Sequence, residues 1–92
     1  MDKIILYKKT NCSTCDAAKF VIARCLSLKN IDYSSVVEEK FVDTSIDANV
    51  EMMMLDSLST PVAVIGETVL KEKDAANQSL VSIAIEKWAL CK

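Results

Sequence analysis

The sequence predicts an α/β domain: a four-stranded mixed sheet with three flanking helices, in the order β-α-β-α-β-β-α. Three observations predict it. KIILY at residues 3–7 and VAVI at residues 62–65 are short aliphatic runs of strand length. Between and after them, apolar residues recur three or four apart, the period of a helix that buries one face. Gly66-Glu67 separates two short apolar runs, which is a hairpin signal. Two parallel strands joined by a helix, followed by a hairpin, build one sheet covered by helices.

Taken in order, the first strand ends at the polar Lys8-Lys9-Thr10-Asn11. A helix is expected over residues 13–28, burying Ala17, Phe20, Val21, Cys25 and Leu28, with Asn30 as its stop because Asn tolerates the left-handed conformation. Residues 31–37 read as the second strand, with aromatic Tyr33 and β-branched Val36-Val37, and residues 38–43 as a charged connection. Thr44 or Ser45 caps a helix running to about Ser57, with Ile46, Val50, Met53 and Met54 as its apolar side. Thr60-Pro61 breaks it. Residues 68–70 return as the fourth strand. Asp74 then caps a last helix that buries Leu80, Val81, Ala84, Ile85 and Trp88. Tyr7 and the sole Trp, Trp88, read as core, and Met52-Met53-Met54 as core filling with one Met exposed.

Ninety-two residues make one domain, residues 1–92, and 51% apolar with 26% charged residues is globular composition. A single Gly excludes the glycine-rich phosphate cradles, and the absence of His excludes Ser-His-Asp and Cys-His catalysis. A net charge of −2 argues against nucleic acid as a partner. No apolar run has the length of a signal-peptide core or a membrane span, so the chain is read as cytoplasmic, without a membrane partner, and monomeric. In a reducing compartment a Cys-x-x-Cys pair is redox-active or metal-binding rather than structural.

That pair is Cys12-Ser13-Thr14-Cys15, between the first strand and the first helix. Unpaired N–H groups and about half a positive charge at a helix N-terminus favour a thiolate over a thiol. Cys12, at the helix mouth, is the expected nucleophile. Cys15, one turn inside, resolves the mixed disulfide. Lys9 adds positive charge, whereas Lys8 and Lys9 point opposite ways on an extended segment. Two alternatives stand beside this reading. The pair is inert, or it binds metal. A zinc site with Cys25 fails on distance, since ten helical residues span roughly 15 Å. Cys25 reads as core, with a Cys25–Cys91 contact as a further option, and Lys71-Glu72-Lys73-Asp74 as a solvated loop or a selector of substrate.

The strand KIILY, the run Lys9-Thr10-Asn11-Cys12-Ser13-Thr14-Cys15, and Ser59-Thr60-Pro61 before a Val-rich strand together resemble the glutaredoxin branch of the thioredoxin-like superfamily. The resemblance implies a dithiol disulfide reductase acting on protein or glutathione mixed disulfides. It implies Lys9 as helper, a cis Pro61 beside the dithiol, and the Thr60 backbone pairing with the bound cysteine of a substrate. No organic cofactor is required; glutathione would be a cosubstrate. Two departures accompany it. Ser13-Thr14 replaces the family's Pro-Tyr, and a Ser there occurs in members that bind an iron–sulfur cluster between subunits, so a metal or cluster carrier using Cys12 is the alternative. Leu70-Lys71 replaces two glycines, although Asp74 remains, which points to a reductase enzyme as the alternative electron donor.

Overall fold

The computed structural model describes residues 3–57 and 59–90. Its elements are β1 (Ile4–Lys8), α1 (Ser13–Ser27), α2 (Tyr33–Val36), β2 (Val37–Phe41), α3 (Ile46–Met54), β3 (Val62–Ile65), β4 (Thr68–Lys71), a 3-10 turn (Glu72–Ala76) and α4 (Gln78–Leu90). The strands form one four-stranded sheet in the order β2-β1-β3-β4. β1 runs parallel to β2 and antiparallel to β3, and β3 antiparallel to β4, so the sheet is mixed. The sequence expectation of an α/β domain with a four-stranded mixed sheet holds at this level; α2 and the 3-10 turn add to its three helices.

Strand alternation assigns the two faces. Ile4, Leu6, Ala63, Ile65 and Leu70 share one core with Ala18, Ile22 and Leu26 of α1 and Val81, Ala84, Ile85 and Trp88 of α4. Tyr7 and Val62 point the other way and meet Ala48 and Met52 of α3. Each large aliphatic side chain buried this way contributes about 1.5–3 kcal/mol. The β3–β4 hairpin turns at Gly66, whose φ of +63° suits the first position of a two-residue loop, with Trp88 packed over it.

Several expectations are corrected. Of residues 31–37, expected as the second strand, only Val37 belongs to one. Asp32 accepts from the Ser34 and Ser35 hydroxyls, residues 33–36 form a helical turn, and the second strand is VEEKF at Val37–Phe41. The run taken as a charged connection is thus an edge strand, where charged side chains are tolerated because they discourage further pairing. Helix α1 buries Cys15, Ala18, Ile22, Cys25 and Leu26, while Phe20 and Leu28 are exposed. Small Cys15 and Ala18 suit the face on which α1 lies close to the 3-10 turn and to α4. Helix α3 is likewise turned: Ala48 and Met52 face inward, and Ile46, Val50, Met53 and Met54 are exposed. On the same helix Glu51 accepts from Tyr7 Oη at 2.9 Å and Lys40 Nζ at 2.6 Å, which ties α3 to β1 and β2. Of the stripe expected on α4, Val81, Ala84, Ile85 and Trp88 are buried and Leu80 is exposed.

Helix ends follow capping chemistry. Asn30, at φ +58°, ends α1, and the Ile31 N–H returns to the Leu26 carbonyl. Ser45 caps α3 by accepting from the Ala48 N–H. Asp74 does not cap α4. It lies within the 3-10 turn, and Asn77 Oδ1 accepts from the Ser79 and Leu80 N–H groups at 3.0 and 3.2 Å. Replacing Asn77 by Ala is expected to destabilise the protein by about 1 kcal/mol, read as a lower urea midpoint at unchanged slope. A matching loss in Asp74→Ala instead would return the cap to Asp74.

Candidate functional site

The turn Thr10-Asn11 delivers the chain from β1 to α1. Asn11 adopts φ +56°, and the Thr10 N–H donates to Asp43 Oδ2 at 3.1 Å, tying the turn to the loop after β2. Cys12 is then the N-cap of α1. Its carbonyl accepts from the Asp16 N–H at 3.1 Å, and its Sγ accepts from the Cys15 N–H at 3.1 Å. A sulfur takes the place that a Ser or Asp oxygen commonly fills. Cys15, one turn on, is fully buried while Cys12 is half-buried. Their Cα atoms are 5.2 Å apart and the two sulfurs lie within disulfide-forming reach of each other.

The other wall of the site is the segment before β3. The Thr60–Pro61 peptide is cis, and Pro61 is buried. Thr60 Oγ1 lies 3.9 Å from Cys12 Sγ. Three contacts brace this segment. The Pro61 carbonyl accepts from the Glu72 N–H at 2.6 Å, Ser57 Oγ donates to the Ser59 carbonyl at 3.0 Å, and Lys71 Nζ donates to the Asp56 carbonyl at 3.2 Å. Cys12, Cys15, Thr60 and Pro61, from two distant parts of the chain, therefore meet at one place.

The remaining candidates sit differently. Leu70 turns into the core and Lys71 reaches Asp56, so neither bulk nor charge from these two side chains is spent on the dithiol. Glu72 takes φ +52° without being a glycine. Asp74 is exposed on the 3-10 turn, which packs against α1. Lys9 is exposed at the end of β1. Asp43 is held below the usual carboxylate range mainly by the Thr10 N–H, with a smaller contribution from the charge of Lys9. Lys8 is the inward-facing lysine of the pair.

Sequence reasoning missed what Lys8 meets. Its Nζ lies 3.4 Å from Glu39 Oε1, and Lys19 Nζ of α1 lies 3.2 Å from Glu39 Oε2, which also accepts from Tyr33 Oη at 2.7 Å. Burial alone would raise the Glu39 pKa; the hydrogen bonds from Tyr33 and Lys19 and the charge of Lys8 outweigh it and hold the carboxyl below its ordinary value. Burial, then the bond to Glu39, pushes the Tyr33 phenol well up. The signal for this cluster was the i, i+2 pattern of VEEKF, legible only once those residues are a strand beside β1.

Cys25 is buried in the main core, and burial pushes its thiol pKa up, only partly offset by Arg24. That is the setting of an unreactive thiol. Cys91 and its suggested contact with Cys25 lie outside the described residues. Among the described residues no three His, Cys, Asp or Glu side chains converge as a metal site would need, and no helix is long and apolar enough to cross a membrane. An open groove of about 350 Å3 lies between β2 and α3, away from the cysteines. Two of its carboxylates, Glu39 and Glu51, are already engaged by lysines. Comparison with family models, curated proteins and solved structures gave no match.

Proposed function

We propose that the chain is a thiol–disulfide oxidoreductase of thioredoxin-like, glutaredoxin-type fold, working through the Cys12–Cys15 dithiol. The observation that carries this reading is the placement of Cys12. A half-buried sulfur caps a helix N-terminus, accepts from the Cys15 N–H, and lies within disulfide reach of a buried second cysteine. The strand order and the Thr60-Pro61 segment beside the dithiol also support it.

In the reduced enzyme, the helix N-terminus favours the Cys12 thiolate. The thiolate attacks one sulfur of a substrate disulfide. The substrate S–S bond breaks, and the departing sulfur leaves as a thiolate that takes a proton from water. Cys15 then gives up its proton and attacks Cys12 Sγ, which expels the second substrate thiol. Two electrons pass from the dithiol to the substrate, and the Cys12–Cys15 disulfide remains. A reductase or glutathione returns the two electrons. The substrates are disulfide-containing proteins or glutathione mixed disulfides in a reducing cytoplasm, met by a monomer.

The test is capture. Cys15→Ser keeps the attacking thiol and removes the resolving one, so Cys12 is expected to accumulate as a stable mixed disulfide with a model disulfide such as oxidised glutathione. Mass spectrometry should place the adduct on Cys12. Absence of any adduct, or thiols protected until a chelator is added, would overturn the reading, the second in favour of a metal or cluster carrier using Cys12.

A further inference from the structure

The hydroxyl of Thr60 stands 3.9 Å from Cys12 Sγ, within hydrogen-bonding range for sulfur. Two features hold it there. A residue before proline is confined to extended backbone, and a β-branched side chain has few χ1 choices. The bonds to the Pro61 and Ser59 carbonyls and to that of Asp56 fix the segment that carries it. With the two sulfurs this close, Cys12 Sγ already accepts from the Cys15 N–H. On reduction it gains negative charge and can accept a second donor. We propose that in the reduced protein the Thr60 hydroxyl donates to the Cys12 thiolate and, beside the Cys15 N–H, helps to keep this sulfur ionised. This deepens the oxidoreductase reading and rests on it: it gives Thr60 a side-chain role on the nucleophile, distinct from backbone pairing with a substrate.

The charged groups on the segments around the sulfur are Lys9 before it, Asp43 bonded to the turn that precedes it, Asp16 on the first turn of α1, Asp56 on the segment that leads to Thr60, and Glu72, Lys73 and Asp74 on the 3-10 turn packed against α1. All are exposed and all remain in a Thr60 variant, so their effect cancels in a comparison with the parent protein.

The experiment is the pH dependence of Cys12 alkylation by iodoacetamide, on dithiothreitol-reduced protein, with the modified residue identified by peptide mass spectrometry. Thr60→Val keeps the branched shape and removes the donor, and Thr60→Ala removes it without the branch. Both are expected to move the alkylation midpoint up by about one pH unit, the tenfold change that a hydrogen bond to a charged acceptor supplies. Thr60→Ser is expected to hold the midpoint near that of the parent. Unchanged midpoints in Val and Ala would overturn the inference, as would a Ser variant shifted as far as Val. The readout needs no turnover, so a failed Thr60 series and a protein inactive on disulfides are separate results: the first overturns the thiolate bond alone, the second the oxidoreductase reading on which it rests.

Discussion

Replacing Cys12 by Ser is expected to remove disulfide reductase activity, by more than about a thousandfold, while leaving the fold intact. The hydroxyl of Ser is not ionised at neutral pH, so the attacking anion is lost and no other described thiol can replace it. Cys15 is fully buried behind Cys12, and Cys25 lies in the core with its thiol pKa raised. Ser at position 12 still offers an oxygen that can cap α1, as Ser45 caps α3, so helix stability should be preserved. Cys25→Ser provides the contrast. It should keep the activity and lower stability by about 1–3 kcal/mol, because a hydroxyl enters an apolar core. Reductase activity retained in Cys12→Ser, or lost in Cys25→Ser at a temperature where that variant is folded, would mean that the wrong cysteine has been assigned.

The second large effect belongs to Glu39. Its carboxylate joins β2 to Lys8 of β1, Lys19 of α1 and Tyr33 of α2, and the Lys8 and Glu39 side chains are 9% and 22% exposed. Such a pair is not itself a large source of stability, but removing one partner leaves the other charged and unpaired in a poorly solvated place. Glu39→Ala strands Lys8. The expected loss is about 3 kcal/mol, or roughly 12–24 °C in melting temperature for a chain of this size. Glu39→Gln still accepts from Tyr33 and should lose less. The pH dependence has a definite sign. The folded-state pKa of Glu39 is lowered from 4.5. Its contribution is therefore present above that value and disappears as pH falls through the lower folded-state pKa. The parent should lose stability across that acid window more steeply than Glu39→Gln. Parallel stability–pH curves would show that the cluster does not bear on stability.

The parts of the fold legible in the sequence are those fixed by local chemistry. Ile4–Lys8 and Val62–Ile65 are strands because aliphatic runs of that length bury well in a sheet interior, although the first begins one residue later than KIILY and takes in Lys8. Gly66 marks the hairpin because its positive φ is easy only for glycine, and Asn30 ends α1 for a related reason. The cysteine motif was legible because its place, after a strand and before a helical pattern, carries more information than its spacing. What was not legible depends on partners distant in sequence. VEEKF looks like a connection until Lys8 and Lys19 are beside it to compensate Glu39. Helix α3 carries more apolar bulk on the face it exposes than on the face it buries, while its Glu51 reaches Tyr7 and Lys40 across the sheet, contacts that periodicity does not reveal. In α1, small residues at the point of closest approach outrank Phe20. Asn77 rather than Asp74 caps α4 because an extra 3-10 turn separates β4 from the helix, which periodicity does not reveal.

The central claim is that Cys12 and Cys15 exchange two electrons as a unit. Its most direct test is equilibration of the purified protein in graded mixtures of reduced and oxidised glutathione, followed by acid quenching, thiol trapping and peptide mass spectrometry. A working dithiol gives a single reversible transition in which Cys12 and Cys15 lose their free thiols together, form an intramolecular disulfide, and leave Cys25 reduced throughout. Cysteines 12 and 15 that remain free thiols across the whole range, or that oxidise independently of each other, would contradict it.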